Sequence, residues 1–413
     1  MLGMKRPYET LVKEYLGMFP CVGIVGPRQC GKTTLLHTLP DTWKRFDLER
    51  GSDYEVVSRD PDLFLRLNES KIAIDEAQII PEIFPALRVA IDENRAVPGR
   101  FVVTGSSSPH LLHSISESLA GRIGIIELSP LAWSEIHPPK KINKAALDCL
   151  LDTSCSPNDV VNSLKPNGSL QDVHDYWFRG GYPEPWLKNS ERFSDVWTDQ
   201  YIKTYLYRDI GRLFPQLNKA RFRQFLNLLA GLSGTILNYS DIARTLSVSQ
   251  PTVREYLDIA HGTFLWRKVF PFERNTMKRL VKHPRGYLRD TGLLHHFLRI
   301  GSLDALLSHP QMGRSWESVV VEELLRQLNI RGVSYGYSYY RTSAGAEVDL
   351  ILEGDFGLLP VEIKYTQTIH SRSLRSLKMF VKDHSCRMGV VINNDTQSRL
   401  YEDNILGIPF ACL

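Results

Sequence analysis

The sequence has no apolar run reaching the roughly 18 residues that a membrane span needs, so nothing in it asks for a lipid environment. Its first residues, MLGMKRPYETLVKEYLG, alternate charge with apolar side chains. They lack the apolar core and small-residue cleavage site of a secretory signal. No CxxC pair occurs, and no histidine stands at metal-ligand spacing from the scattered cysteines Cys21, Cys30, Cys149, Cys155, Cys386 and Cys412. That pattern excludes a zinc ribbon and fits reduced thiols in a reducing compartment. The expectation is a cytoplasmic protein without a membrane partner. A large net charge is also missing, since 50 Lys and Arg face 46 Asp and Glu. An excess of +4 implies no anionic partner unless it is concentrated in one place. No repeat with a period of roughly 20 to 50 residues is visible, which argues against a solenoid.

What is present is enough chain, 413 residues, for roughly two to four domains. From residue 21 to about 130, β-branched runs (CVGIVG, WKRFDLE, KIAIDE, RFVVTGS, RIGIIELS) alternate with helical patterns after Lys32, at Pro61 to Asn68, at Pro81 to Asn94 and at Pro109 to Leu119. That alternation predicts an α/β domain with a parallel sheet. Residues 140–170 are polar and rich in Ser, Pro, Asn and Asp, which predicts a boundary. The stretch NYSDIARTLSVSQPTVREYLDIAHGTFLWRKVFPF reads as two short helices split by SVS and then a strand, the order of a winged helix-turn-helix. Residues 314–413 read helix, three strands, helix, strand. The expected division is 1–139, 140–219, 220–290 and 291–413.

Binding a phosphate chain requires backbone N–H groups turned into one small volume, hence glycines, and a helix starting there. GPRQCGKT supplies both: Gly26, Pro27, Arg28, Gln29, Cys30 and Gly31 form the loop, and Lys32, Thr33 and Thr34 open the helix. The pattern is that of a P-loop for ATP with Mg2+, with Lys32 on the β and γ phosphates and Thr33 on the metal. IAIDEA delivers Asp75 and Glu76 at a strand end, Asp75 for the Mg2+ and Glu76 for the attacking water. The next strand ends in Thr104, Ser106, Ser107 and Ser108, where a hydroxyl could meet the γ-phosphate or the water. Arg122 and Arg208 are candidates to neutralise the transferring phosphoryl group. Cys30 reads as a tolerated variant of the loop rather than a redox switch.

Two further patterns carry chemistry. The second helix of the helix-turn-helix pattern would offer Ser249, Gln250, Thr252 and Arg254 to a major groove, with Glu255 and Asp258 opposing. The segment after it collects Arg267, Lys268, Arg274, Lys278, Arg279, Lys282, Arg285 and Arg289 against Glu273, enough to neutralise phosphates of a nucleic acid or to dock internally. Near the end, EVDLIL and LPVEIKY form a hairpin pattern in which strand alternation brings Asp349, Glu362 and Lys364 together, with Glu317 on a preceding helix. Two carboxylates and a lysine suit metal-assisted phosphodiester cleavage, with Asp349 and Glu362 on the metal. The same residues also suit a plain ion-pair cluster.

GPRQCGKTTLL, IAIDEAQ, FVVTGSSS, LAGRIGIIELSPL, GGYPE, TYLYRDI and HPRGYLRDTGLL, in this order, resemble the bacterial and archaeal AAA-type ATPases that carry a C-terminal domain of unassigned function. The resemblance spans most of the chain. It implies an AAA+-type ATPase core, a helical and winged-helix middle, and a restriction-endonuclease-like C-terminal α/β domain related to PD-(D/E)xK nucleases. It also implies an ATP site at Gly31, Lys32, Thr33, Asp75 and Glu76, with Arg122 as an addition. The functional expectation is an ATPase acting on nucleic acid, DNA more than RNA. The alternative is a nucleotide-switched protein-interaction module with an inactive nuclease fold. A homo-oligomer is compatible with either.

Overall fold

A computed structural model describes residues 5–106, 117–139, 146–273 and 283–413. Ser107, Ser108, residues 109–116 of the fourth helix pattern, residues 140–145 of the polar stretch, and Arg274, Lys278, Arg279 and Lys282 lie outside them. The chain divides into two units. One contains residues through Pro130 together with Asp258–Phe264 and Asn329–Gly332, and the other contains the rest.

In the first unit five strands, β1 (Cys21–Gly26), β2 (Lys44–Asp47), β3 (Ile72–Asp75), β4 (Phe101–Ser106) and β5 (Ile123–Glu127), form a sheet in the order β2-β3-β4-β1-β5. Every pairing is parallel. Alternation along the strands sorts the core onto two faces. Cys21, Val25, Ile72, Ile74, Phe101 and Val103 pack with Phe64 and Leu65 of one helix (Pro61–Leu67) and Ile83, Leu87 and Ile91 of another (Ile83–Glu93). Val22, Ile24, Ala73, Val102 and Ile126 face the other way, onto Tyr8, Leu11 and Val12 of the helix Tyr8–Met18 and Leu35 and Leu36 of the helix Lys32–Leu36. A sheet covered on both sides explains why its strands read as almost unbroken apolar runs. Because β4 lies between β1 and β3, Thr104 sits between the phosphate loop and Asp75.

The second unit carries a nine-stranded sheet in the order β13-β14-β12-β11-β10-β9-β7-β8-β6. Its strands are β6 (Thr235–Ile236), β7 (Trp266–Pro271), β8 (Arg285–Leu288), β9 (Tyr335–Arg341), β10 (Glu347–Gly354), β11 (Gly357–Ile363), β12 (Gly389–Asn393), β13 (Arg399–Glu402) and β14 (Ile405–Pro409). The parallel pairing of β7 with β9 joins the middle and terminal segments. The division expected at 290/291 therefore falls inside one sheet. Before β7 come the helices Lys219–Leu232, Tyr239–Leu246 and Gln250–Gly262, the last two separated by a turn with Ser247 in the left-handed region (φ 51). The described part of the polar stretch 140–170 forms the helices Ala146–Leu151 and Pro157–Ser163, with Ala146, Leu147, Cys149, Leu150 and Val160 buried. Ser156 and Ser169 cap the helices Pro157–Ser163 and Leu170–Arg179.

Two motifs singled out in the sequence, GGYPE and RDTGLL, meet in this unit. The buried Asp290 carboxylate accepts from Gly181 N–H at 2.8 Å and from Leu293 N–H at 3.1 Å, capping the helix Thr291–Phe297. In that helix His295 is buried, with Nδ1 2.9 Å from the Phe178 carbonyl and Nε2 2.7 Å from Ser315 Oγ. Carbonyl oxygens only accept, so Nδ1 carries a proton. Burial holds its pKa down at about 4 instead of 6.5. Between these values the unfolded chain binds a proton that the folded chain refuses, so stability falls as pH drops from 6.5 toward 4. The loss is at most about 3 kcal/mol. His295→Gln should flatten the slope of unfolding free energy against pH in that window, as chemical denaturation at a series of pH values would measure.

Candidate functional site

The phosphate-loop residues converge at the carboxyl edge of the first unit's sheet. Gly31 occupies the left-handed region (φ 103) and caps the helix Lys32–Leu36. Gly26 leaves no room for a side chain, because a Cβ there would lie 2.1 Å from the Leu128 carbonyl oxygen. Lys32 is buried and curls over the loop, its Nζ donating to the carbonyls of Gly26 (3.1 Å) and Pro27 (2.9 Å). Asp75 is held by two hydroxyls from neighbouring elements: Thr33 Oγ1 donates to Oδ2 at 2.7 Å, and Thr104 Oγ1 donates to Oδ1. Thr104 Oγ1 also accepts from the Glu76 N–H at 3.3 Å. Glu76 itself sits in the left-handed region (φ 54), and Gln78 Nε2 donates to its carboxylate. Arg28 pairs with Glu49 at 3.4 Å. Cys30 is fully buried, its Sγ 3.3 Å from the Leu128 carbonyl, and burial raises its pKa. A neutral, enclosed thiol is inert.

Two residues escaped the sequence reading. Gln78 was visible only as the end of IDEAQ. Arg6 lies far from the loop in sequence but is buried behind it, donating to the carbonyls of Cys30 (2.8 Å) and Ser129 (3.0 Å). Tyr8 Oη, 3.0 Å from Ser129 Oγ, closes the same brace. An arginine immediately before a helix carries no P-loop signal, so no pattern pointed to it. Arg6→Ala leaves two carbonyls without their charged donor and should cost about 1.5–3 kcal/mol of loop stability. The expected result is an ATP affinity at least about fivefold weaker by titration calorimetry, partly recovered in Arg6→Lys.

Arg122 is not among the residues brought together. It precedes β5 beside Cys21, at the opposite edge of the sheet, about 17 Å from Gly26 along β1. There it forms a two-pronged ion pair with Asp92 at 2.8 Å. The expectation that it belongs to this chain's own ATP site is corrected accordingly. Arg208 lies in the second unit on a π-helical turn, Tyr205–Ile210.

Of the basic segment, the described Arg267, Arg285 and Arg289 are paired internally. Arg267 and Arg289 are buried on Glu322, which they hold down at about 2 against the raising effect of burial. Arg285 is buried among carboxylates. None of these three offers its guanidinium to a phosphate. On the helix Gln250–Gly262, Ser249 caps the start through Thr252 N–H (3.3 Å), Gln250 donates to Ser240 (3.0 Å), and Arg254 lies over the Tyr239 ring.

At the terminal carboxylates the hairpin forms as expected, β10 against β11, and Asp349, Glu362 and Lys364 converge with Glu317. Asp349 Oδ2 accepts from Ile363 N–H at 2.8 Å, and Lys364 Nζ lies 2.6 Å from Glu362. Burial and the Asp349 charge push Glu317 up to about 7 and Glu362 up to about 8. The addition is Arg285, whose NH1 is 2.8 Å from Glu317 and 3.7 Å from Asp349 and whose NH2 donates to Glu347. Among the described residues no group of three or more His, Cys, Asp or Glu is placed to hold a metal ion. The expected metal pair Asp349 and Glu362 instead faces cations of the chain itself, Arg285 at 3.7 Å from Asp349 and Lys364 at 2.6 Å from Glu362.

A parallel sheet with the loop Gly26–Thr33 at its edge and Asp75 beside it defines a P-loop ATPase of the AAA type, and a family model described as "AAA domain" matches residues 19–137. Models for two domains of unknown function match residues 170–304 and 312–413. The chain is 34% identical to the uncharacterized protein Rv2008c of Mycobacterium tuberculosis, over 99% of its own length and 84% of the relative, and it belongs to that protein's family. A more distant relative is MJ1544 of Methanocaldococcus jannaschii, 22% identical over 68% of this chain and 59% of that protein. Among solved structures, the Walker-type ATPase of Pyrococcus abyssi aligns with a TM-score of 0.41 at 14% identity, over 72% of this chain and 96% of that one. No helix among the described residues is long and apolar enough to cross a membrane.

Proposed function

We propose that the chain binds ATP with Mg2+ at Gly26–Thr34 and hydrolyses it. The observation that carries this reading is the contact of Thr33 with Asp75, which ties the helix after the loop to the end of β3. Thr33 and Asp75 would hold the Mg2+, a hard cation suited to one carboxylate, a hydroxyl and phosphate oxygens. When bound, the metal would offset the charge of the phosphate chain. Lys32 exchanges its two loop carbonyls for phosphate oxygens. Thr104 fixes the orientation of the Asp75 carboxylate by donating to it. Glu76 orients the attacking water, and Gln78 sets the direction of its carboxylate. Arg122 is not part of this set.

Two readings of the second unit follow. In the first, residues 220–290 act as a winged helix on nucleic acid, DNA more than RNA, and residues 291–413 act as a nuclease-like domain. In the second, the chain is a nucleotide-switched module for protein contacts. The burial of Arg267, Arg285 and Arg289 in ion pairs favours the second. One experiment addresses both levels: ATP turnover of the whole chain with Mg2+ or EDTA, each with and without duplex DNA at several salt concentrations. Turnover that needs Mg2+ is expected, and its absence refutes the ATPase reading. Stimulation by DNA that fades with salt would restore the first reading.

A further inference from the structure

We propose that Arg285 takes the place of a divalent cation at the carboxylate cluster of the second unit, so that the cluster holds a guanidinium and excludes metal. The position is a built one. Arg285 is only 4% exposed, and β8 pairs it with Ile236 on one side and Val269 on the other. Its fork reaches Glu317, Glu347 and Asp349 at once, from a helix and from β10. Tyr339 lies under the guanidinium, 5.1 Å from ring centre to carbon, and Tyr287 adds a hydroxyl to Glu317. Lys364 covers Glu362, the carboxylate that Arg285 does not touch.

Each acid that would ligate a metal thus already faces a cation. A guanidinium cannot lose its charge in a protein, and its planar fork matches carboxylates in a way no ammonium does. It has no empty coordination position, so it cannot activate a water for attack on a phosphodiester. The acids and lysine are those the sequence pattern offers for metal-assisted phosphodiester cleavage, while the charge that completes the cluster comes from the chain. The inference does not depend on the ATP site.

The test measures Mn2+ binding to the nucleotide-free whole chain by electron paramagnetic resonance and by thermal shift. The wild type should show no site that Asp349→Ala removes. Arg285→Gln should bind Mn2+ at least tenfold more tightly than wild type and gain a metal-dependent rise in melting temperature, both lost in Arg285→Gln with Asp349→Ala. A wild-type site removed by Asp349→Ala would overturn the proposal, as would a folded Arg285→Gln that gains nothing. If Arg285→Gln is unfolded without metal, Mn2+ should restore it. Failure of both Arg285→Gln and Arg285→Lys to fold with Mn2+ present would show a role that no cation can take over, and the proposal would fall.

Discussion

Lys32→Ala is expected to abolish ATP binding, while Glu76→Gln should bind ATP with Mg2+ and hydrolyse it at least about tenfold more slowly. The two residues hold different places at one site. Lys32 brings a buried ammonium to the loop, where its partners are the carbonyls of Gly26 and Pro27. Removing it takes the ammonium from those carbonyls and takes away the charge that would meet the β and γ phosphates. Glu76 stands one residue beyond the Asp75 that Thr33 and Thr104 hold, on a backbone turned into the left-handed region. A glutamine keeps its size and its contact with Gln78 but cannot take up the charge of a water being activated. Nucleotide affinity by calorimetry and turnover by phosphate release separate the two effects. Unchanged turnover in Glu76→Gln would remove that residue from the proposed catalytic set.

Gly180→Ala should destabilise the second unit by more than about 3 kcal/mol and lower its melting temperature by several degrees or more. Gly180 has φ 74 and ψ −166, a region open essentially to glycine alone. A Cβ there would also lie 2.3 Å from Asp290 Oδ1, on a carboxylate already fixed by Gly181 and Leu293 N–H groups and facing Arg326 at 3.8 Å. Neither strain nor clash can relax without breaking the helix cap. Gly17→Ala, in the helix Tyr8–Met18 where nothing stands within 4 Å, is the control and should leave stability unchanged or slightly raised. A Gly180→Ala protein as stable as wild type would show that the Asp290 contact is not a fixed joint.

The first unit was largely legible because its signals are local. Apolar strand runs, a glycine loop before a helix and an acidic pair at a strand end each occupy a few adjacent residues, and the five strands form where the runs stand. Sheet order was not legible. Nothing in FVVTGS says that it inserts between β1 and β3, and so the joint hold of Thr33 and Thr104 on Asp75 appears only in the structure. The arginines show the opposite failure. Arg267, Arg285 and Arg289 read as a basic stripe because their partners Glu322, Glu317 and Asp349 lie 32 to 64 residues away along the chain. Charge summed along a sequence counts neighbours, whereas burial pairs charges across the fold. The Asp349, Glu362 and Lys364 grouping was legible from strand alternation, and Arg285 was the term it could not supply.

The first unit draws on Asp258–Phe264 and Asn329–Gly332, with Phe264 seated in the same core as Phe101 and Leu87. A ribosome releases those segments long after the five strands have emerged. From the end of β5 at Glu127 to Asn329, whose segment brings Ile330 against the unit's other core, translation adds 202 residues, roughly ten to forty seconds at ordinary elongation rates. During that interval the nascent chain carries a sheet with an open socket, a state that chaperones and proteases can recognise. A gene fragment cut at the edges of the AAA match would hold the polypeptide in that state permanently.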